Sequence, residues 1–164
     1  MTLGYIRNKH FGVEHLEDGK IRVRIHVEET VCSASMEVVA RLPDLEIISI
    51  EAQMARPLHE PCKAAVSMVE RLKGLRIGPG LRKIAEGLIG GPKGCRTLVD
   101  LFIESCDGVI LSFTLPQIER QQKGTDEERR KAHREMLKTN PRLIRSCVAF
   151  ADDSPLMEEF RTGR

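Results

Sequence analysis

The sequence is poor in aromatic residues, with no Trp, one Tyr and five Phe among 164 residues, so its core must be aliphatic. No apolar run approaches the roughly 18 residues of a membrane-spanning helix, and no apolar segment follows a basic N-terminus. The formal net charge is only +2, and Lys and Arg alternate with Asp and Glu instead of forming one basic patch. We therefore expect a cytoplasmic protein that binds neither membrane nor nucleic acid.

The five cysteines form none of the common paired motifs. Their odd number argues against a disulfide framework, and the absence of C-x-x-C excludes zinc-ribbon and thioredoxin motifs. Four of them fall at predicted element boundaries: Cys32 lies between strands, Cys62 and Cys95 lie at helix starts, and Cys147 lies in the tail. Isolated thiols at such places are candidates for ligands or reactive groups.

The first third of the chain shows the period-2 alternation of half-buried strands. Asp18-Gly19 predicts a hairpin turn, and Ile21–Glu28 alternates cleanly between apolar and polar residues. Further strands are predicted over Cys32–Leu42 and Leu45–Ala52. The last of these is the most apolar, which favours a central position in the sheet. Because no βαβ alternation occurs, a Rossmann-like sheet is not expected.

The period then changes to that of amphipathic helices. Helices are predicted over Cys62–Leu72, over Leu81–Leu88 and from Cys95 to Phe113. A capping box at its start predicts a charged surface helix over Asp126–Lys138. In the tail, the apolar run Leu143–Phe150 could dock as a strand or an ordered segment, and the last dozen residues look loose.

These elements predict one α+β domain covering residues 1–164. A three- to four-stranded antiparallel meander (1–56) would pack against a layer of three to four helices (57–138). A tail with a short docked segment (139–164) completes the chain.

The stretch Gly74–Leu98 is dense in glycine and proline although it carries an apolar stripe. Neither Gly78-Pro79-Gly80 nor the turn Gly90–Gly94 matches a phosphate-loop or dinucleotide fingerprint. We expect these turns to allow close backbone approach where successive helices begin.

Thiol chemistry is the main functional indication. A thiol at a helix N-terminus experiences the positive end of the helix dipole, which favours thiolate, and thiolates bind zinc and iron–sulfur clusters. The leading hypothesis is a non-enzymatic metal or iron–sulfur module with an unknown protein partner, in which Cys62 and Cys95 are ligands and Cys32, Cys147 or His59 completes the set. One alternative is a structural or partner-binding accessory protein without metal. Another is a transferase or hydrolase with Cys95 as nucleophile. The simplest interpretation is that each free cysteine packs as a small buried apolar side chain.

The segment GLRIGPGLRKIAEGLIGGPKGCRTLVDLF, together with Pro61-Cys62 and the late Leu143–Phe150 run, resembles a bacterial domain-of-unknown-function family, the one numbered twenty-eight eighty-nine. The resemblance covers Ile21 to Phe150 and implies no activity. Two positions depart from the family pattern: Leu81 replaces an aromatic residue, and Thr97 replaces a histidine.

The order of strands, helices and cysteines is also similar to NifU/IscU-type iron–sulfur scaffolds. This resemblance implies that Cys32, Cys62 and Cys95 correspond to the three cluster cysteines of that scaffold. The scaffold's aspartate after the first cysteine is missing here, and Gly94 replaces the histidine before the third.

Overall fold

A computed structural model describes residues 4–113, 115, 124–139 and 141–162. The chain divides into two compact units, residues 1–110 and 111–164. The single-domain organisation expected from the sequence stays a prediction. Within the described residues, no helix combines the length and apolar character needed to cross a membrane.

The first unit begins with a four-stranded antiparallel sheet whose strands are adjacent in chain order. The strands are β1 (Arg7–Leu16), β2 (Lys20–Glu29), β3 (Ser33–Arg41) and β4 (Glu46–Arg56). Asp18 and Gly19 both have positive φ in the turn between β1 and β2, as a tight hairpin requires. The predicted meander is confirmed.

The two faces of the sheet differ sharply because side chains alternate along each strand. Ile25 of β2 is opposite Met36 of β3, which is opposite Ala52 of β4, on the face that carries the core. On the other face lie His26, Ser35 and Gln53, which are polar. The sheet therefore has one packed face and one polar face, as antiparallel sheets commonly do.

The prediction that the fourth strand is central is wrong, because β4 lies at an edge of the sheet. Part of the free edge of β4 is covered by residues 74–77, further along the chain. Ile47 donates to the Leu75 carbonyl (2.8 Å), Gly74 donates to the Ile47 carbonyl (2.8 Å) and Ile77 donates to the Leu45 carbonyl (3.0 Å). This covering shows why the start of an edge strand is as apolar as a central one.

The predicted helix after β4 exists, but it is a 3-10 helix over Glu60–Leu72 and not an α-helix. Its buried residues are Ala65, Val69 and Leu72. Apolar residues also occur in rows three apart, which suit a helix with three residues per turn as well as one with 3.6. The sequence pattern therefore could not separate the two helix types.

Two α-helices complete the packing of the first unit. Helix α1 (Leu81–Ile89) buries Leu81, Ala85 and Ile89 and ends at Gly90. Helix α2 (Arg96–Ser112) contributes Leu98, Phe102 and Cys106 to the core, among others. Both helices agree with the sequence prediction, and the α+β class is confirmed.

The second unit contains helix α3 (Asp126–Thr139), short 3-10 turns at Pro141–Leu143 and Val148–Phe150, and helix α4 (Pro155–Thr162). The predicted capping box is present, since the Glu128 carboxylate accepts the Thr125 backbone N–H at 2.8 Å. The chain forms a helix over Pro155–Thr162, so the expectation of a loose C-terminal segment is wrong for these residues. The Ser154 hydroxyl accepts the Met157 N–H (3.2 Å) and Pro155 begins the helix, a start signal present in the sequence.

Candidate functional site

Three cysteines of the first unit lie where one element gives way to the next. Cys32 lies in the short connection between β2 and β3, and it is buried with 7% of its surface exposed. Cys62 lies in the first turn of the 3-10 helix, and Cys95 immediately precedes α2. Cys62 and Cys95 are only partly buried, and both pack against the core that contains Cys32.

Cys62 is placed by the chain that enters the 3-10 helix. The residue before the helix, His59, is extended, and its carbonyl accepts the Cys62 backbone N–H at 2.9 Å. Pro61 occupies the first turn, where its missing N–H has no cost. His59 itself is exposed, so its contribution to a ligand set stays a prediction.

Cys95 is placed by an unusually close approach of backbone. Its N–H donates to the Ile89 carbonyl at 2.8 Å, and its own carbonyl accepts the Val99 N–H at 3.1 Å, so it is the N-terminal cap of α2. A Cβ on Gly94 would lie 2.0 Å from the Ile89 carbonyl oxygen. Only glycine fits there, which confirms close backbone approach beside this cysteine.

Cys32 interacts electrostatically with the other two cysteines. Burial is the main reason that the pKa of the Cys32 thiol is raised, and the negative charges of Glu29, Cys95 and Cys62 raise it further, while Arg56 opposes them. Charges act on one another over a distance, so Cys32 lies within electrostatic range of Cys62 and Cys95 although the chain separates them widely.

The loop that carries Cys32 is held by charged side chains. The Arg56 guanidinium donates to the carbonyls of Thr30 (2.8 Å) and Glu29 (2.6 Å) and also pairs with the Glu28 carboxylate. The buried carboxylate of Glu29 pairs with Arg7 Nε at 2.5 Å. These contacts tie the β2–β3 connection to the end of β4, just ahead of the helix that carries Cys62.

The roles of Glu29 and Arg56 beside Cys32 were not predicted from the sequence. Both look like ordinary strand-end charges, and nothing in their spacing distinguishes them from the solvated Glu and Arg residues around them. Burial of Glu29 arises only from the packing around it, so no local signal could have identified it.

The other two cysteines differ in their surroundings. Cys106 is buried in α2, and burial raises the pKa of its thiol to about 12, with a smaller contribution from Asp107. Cys147 is exposed and belongs to the second unit. Its proposed ligand role stays a prediction.

A donor set of the Cys32, Cys62 and Cys95 thiols suits soft or borderline metals such as zinc and iron in clusters. However, the part of the chain that the structure describes contains no group of three or more His, Cys, Asp and Glu side chains already arranged to hold a metal ion. Among the described residues, the three thiols therefore do not form a coordination sphere.

Comparison with known proteins gives one match and two negative results. Neither the curated proteins nor the solved structures contain a significant match to this chain. A family model described as "Protein of unknown function (DUF2889)" matches residues 13–110. The match begins within β1 and ends within α2, where the first unit ends; it includes Cys32, Cys62 and Cys95, and Cys147 lies outside it. Because well over half of the chain is matched, the protein belongs to the DUF2889 family of proteins of unknown function.

Proposed function

We propose that this protein is a non-enzymatic binding module for zinc or an iron–sulfur cluster, with Cys32, Cys62 and Cys95 as thiolate ligands. The observation that supports it is that Cys62 and Cys95 pack against the core that contains Cys32, within electrostatic range of its thiol. When bound, the metal or cluster would supply either a structural cross-link or a redox centre.

The chain's own residues would contribute three features to such a site. Cys95 caps α2, so it lies beside the N–H groups of that helix's first turn, which have no acceptor within the helix. Gly94 and Gly90 allow the backbone to approach closely enough to hold Cys95 there. Arg56 fixes the loop carrying Cys32 and offsets part of the accumulated negative charge.

Binding would require the three sulfurs to be drawn together, because no ready-made metal group exists among the described residues. It would also release the proton that burial and neighbouring charges hold on Cys32. A fourth ligand would come from His59, Cys147 or solvent. The similarity to NifU/IscU-type scaffolds, including three cluster cysteines in this order, is part of the proposal, as is a reducing cytoplasmic location with a protein partner.

A metal-free accessory role is the competing proposal, and one observation favours it. Cys62 and Cys95 both pack against the hydrophobic core, as small apolar side chains would. In that case Cys62→Ala and Cys95→Ala would each lower the free energy of unfolding without changing metal content.

The deciding experiment is metal analysis of anaerobically purified protein, followed by titration of metal-free protein with Co²⁺. The thiol site predicts bound zinc or iron and an intense sulfur-to-cobalt charge-transfer absorption. Cys32→Ser, Cys62→Ser and Cys95→Ser should each abolish or strongly weaken it. Cys106→Ala is the matched control and should retain it, because Cys106 lies elsewhere in the core. A metal-free protein that gives no thiolate absorption with Co²⁺ would refute the proposal.

A further inference from the structure

The polar face of the sheet carries a groove with a volume of about 540 Å³. It runs over all four strands, and its lining includes His10, His26, Ser35 and Gln53. This face is opposite to the one that packs the core and the thiols, so the groove is separate from the proposed thiol site.

One row of side chains crosses this groove from strand to strand. The register pairs His10 with His26, His26 with Ser35, and Ser35 with Gln53. Directly opposed residues on antiparallel strands have Cβ atoms about 5 Å apart and point to the same face. Two imidazoles are therefore held side by side by the backbone ladder, without depending on a flexible loop.

The surroundings leave this imidazole pair accessible. His10 is exposed, and 44% of the His26 side chain is exposed. Gly12, the next β1 residue on the same face, has nothing within 4 Å of its Cβ position, and Ser35 beyond His26 is small. A bound species would meet open space over the groove, where its remaining ligand positions could take water or a small molecule.

Charged neighbours favour a cation over an anion at this place. Arg24 is already paired with Glu37 at 2.7 Å, which removes it as a free anion-binding group. The Glu28 carboxylate lies 3.6 Å from His26 Nε2. The same carboxylate also pairs with Arg56, and it places negative charge beside the His26 imidazole.

We infer that His10 and His26 together bind a divalent late transition-metal ion, such as Ni²⁺, Cu²⁺ or Zn²⁺, on the open face of the sheet. Neutral imidazole is a preferred ligand of these ions, whereas Mg²⁺ and Ca²⁺ require oxygen ligands. The protein supplies two nitrogens, and the groove leaves the other coordination positions exchangeable.

The test is a titration of ¹⁵N-labelled protein with substoichiometric Ni²⁺, followed by two-dimensional NMR. Paramagnetic Ni²⁺ should broaden the amides around residues 10, 26, 35 and 53 as a group distinct from any around the thiols. His10→Asn and His26→Asn should each weaken this response about tenfold or more, the lower end of what losing support for a metal ligand costs. His15→Asn is the matched control, because His15 is also on β1 but is paired with Ile21.

The three variants report on metal binding and not on loss of folding, because none of the three histidines is buried and substitutions at such strand positions are usually tolerated. Broadening that is confined to the thiol region, or that is unchanged in both His10→Asn and His26→Asn, would overturn the inference. Equal weakening by His15→Asn would also overturn it, since that would indicate nonspecific binding to surface imidazoles. The result is independent of whether the thiols bind metal, because the two groups of amides are distinct.

Discussion

The two glycine-rich turns on either side of α1 resemble each other in sequence but use glycine for different physical reasons. At Gly78-Pro79-Gly80, neither glycine has any atom within 4 Å of its Cβ position, but Gly80 adopts φ of 83°. At the second turn, added Cβ atoms on Gly90 and Gly94 would lie 2.6 Å and 2.0 Å from backbone oxygens. The first turn needs only a left-handed backbone, whereas the second needs a left-handed backbone at Gly91 and, in addition, absent side chains at Gly90 and Gly94.

The difference explains why only the second turn places a thiol. A left-handed residue before α1 sets the direction of the chain and can do so in open space. Close approach of backbone between Ile89 and Gly94 instead fixes Cys95 at the start of α2 through the hydrogen bond to Ile89. Glycine density alone therefore does not indicate a site, whereas crowding around a glycine points to what the backbone holds in place.

The largest expected effect is at the crowded turn. Gly94→Ala should lower the free energy of unfolding by at least about 3 kcal/mol, because its Cβ would overlap backbone atoms that cannot move independently. It should also break the Cys95–Ile89 hydrogen bond and so reduce Co²⁺ binding in whatever fraction still folds. Urea denaturation followed by circular dichroism measures the first effect. An unchanged denaturation midpoint would contradict the proposed crowding.

The second effect concerns the pH dependence of stability that the buried Cys106 thiol of α2 produces. Burial raises the pKa of Cys106 to about 12 from an ordinary value near 9. The unfolded thiol therefore loses its proton first as pH rises, and the stability present below about pH 9 should be lost as pH approaches 12. Between pH 9 and 10.5 this amounts to about 2 kcal/mol, since one pKa unit corresponds to 1.36 kcal/mol.

The Cys106 effect is isolated by comparison with Cys106→Ala, since Lys and Tyr also titrate in this range. The free energy of unfolding of the wild-type protein should fall more steeply with pH than that of the variant. Parallel curves would show that the Cys106 thiol is not held protonated by the fold.

The smallest effects compare the two glycines of the open turn. Gly80→Ala should lower the free energy of unfolding by about 1 to 2 kcal/mol, the cost of a left-handed conformation for a residue with a Cβ. Gly78→Ala is its matched control and should change stability by less than about 0.5 kcal/mol, because its Cβ meets open space. Equal losses at both positions would remove the distinction between conformation and contact within this turn.

Sequence patterns predicted most elements because the relevant interactions are local or periodic. The alternation in β2, the Asp18-Gly19 turn and the capping box at Thr125 all appear in the structure. The errors occurred where a distant segment changed the meaning of a pattern. Apolar character in β4 was interpreted as a central position, but Leu75 and Ile77 cover that edge from about thirty residues away.

The candidate site was predicted in part. Cys62 and Cys95 were expected at helix starts, and the structure places them there because proline, a cap and glycine act over a few residues. The charged residues around Cys32 could not be predicted from the sequence. Glu29 becomes buried, and Arg56 reaches back to the β2–β3 connection, only after the strands have paired.

The sequence by itself determined the aliphatic core, the meander, the helix starts and the positions of thiols at element boundaries, because these depend on composition, periodicity and short-range capping. Only the tertiary structure decided that Cys62 and Cys95 pack against the core that contains Cys32, and that His10 is paired with His26 across two strands. Such proximity depends on strand register and helix packing between residues far apart in the chain. It also decided that Gly90 and Gly94 are required by contact, whereas Gly80 is required by backbone conformation.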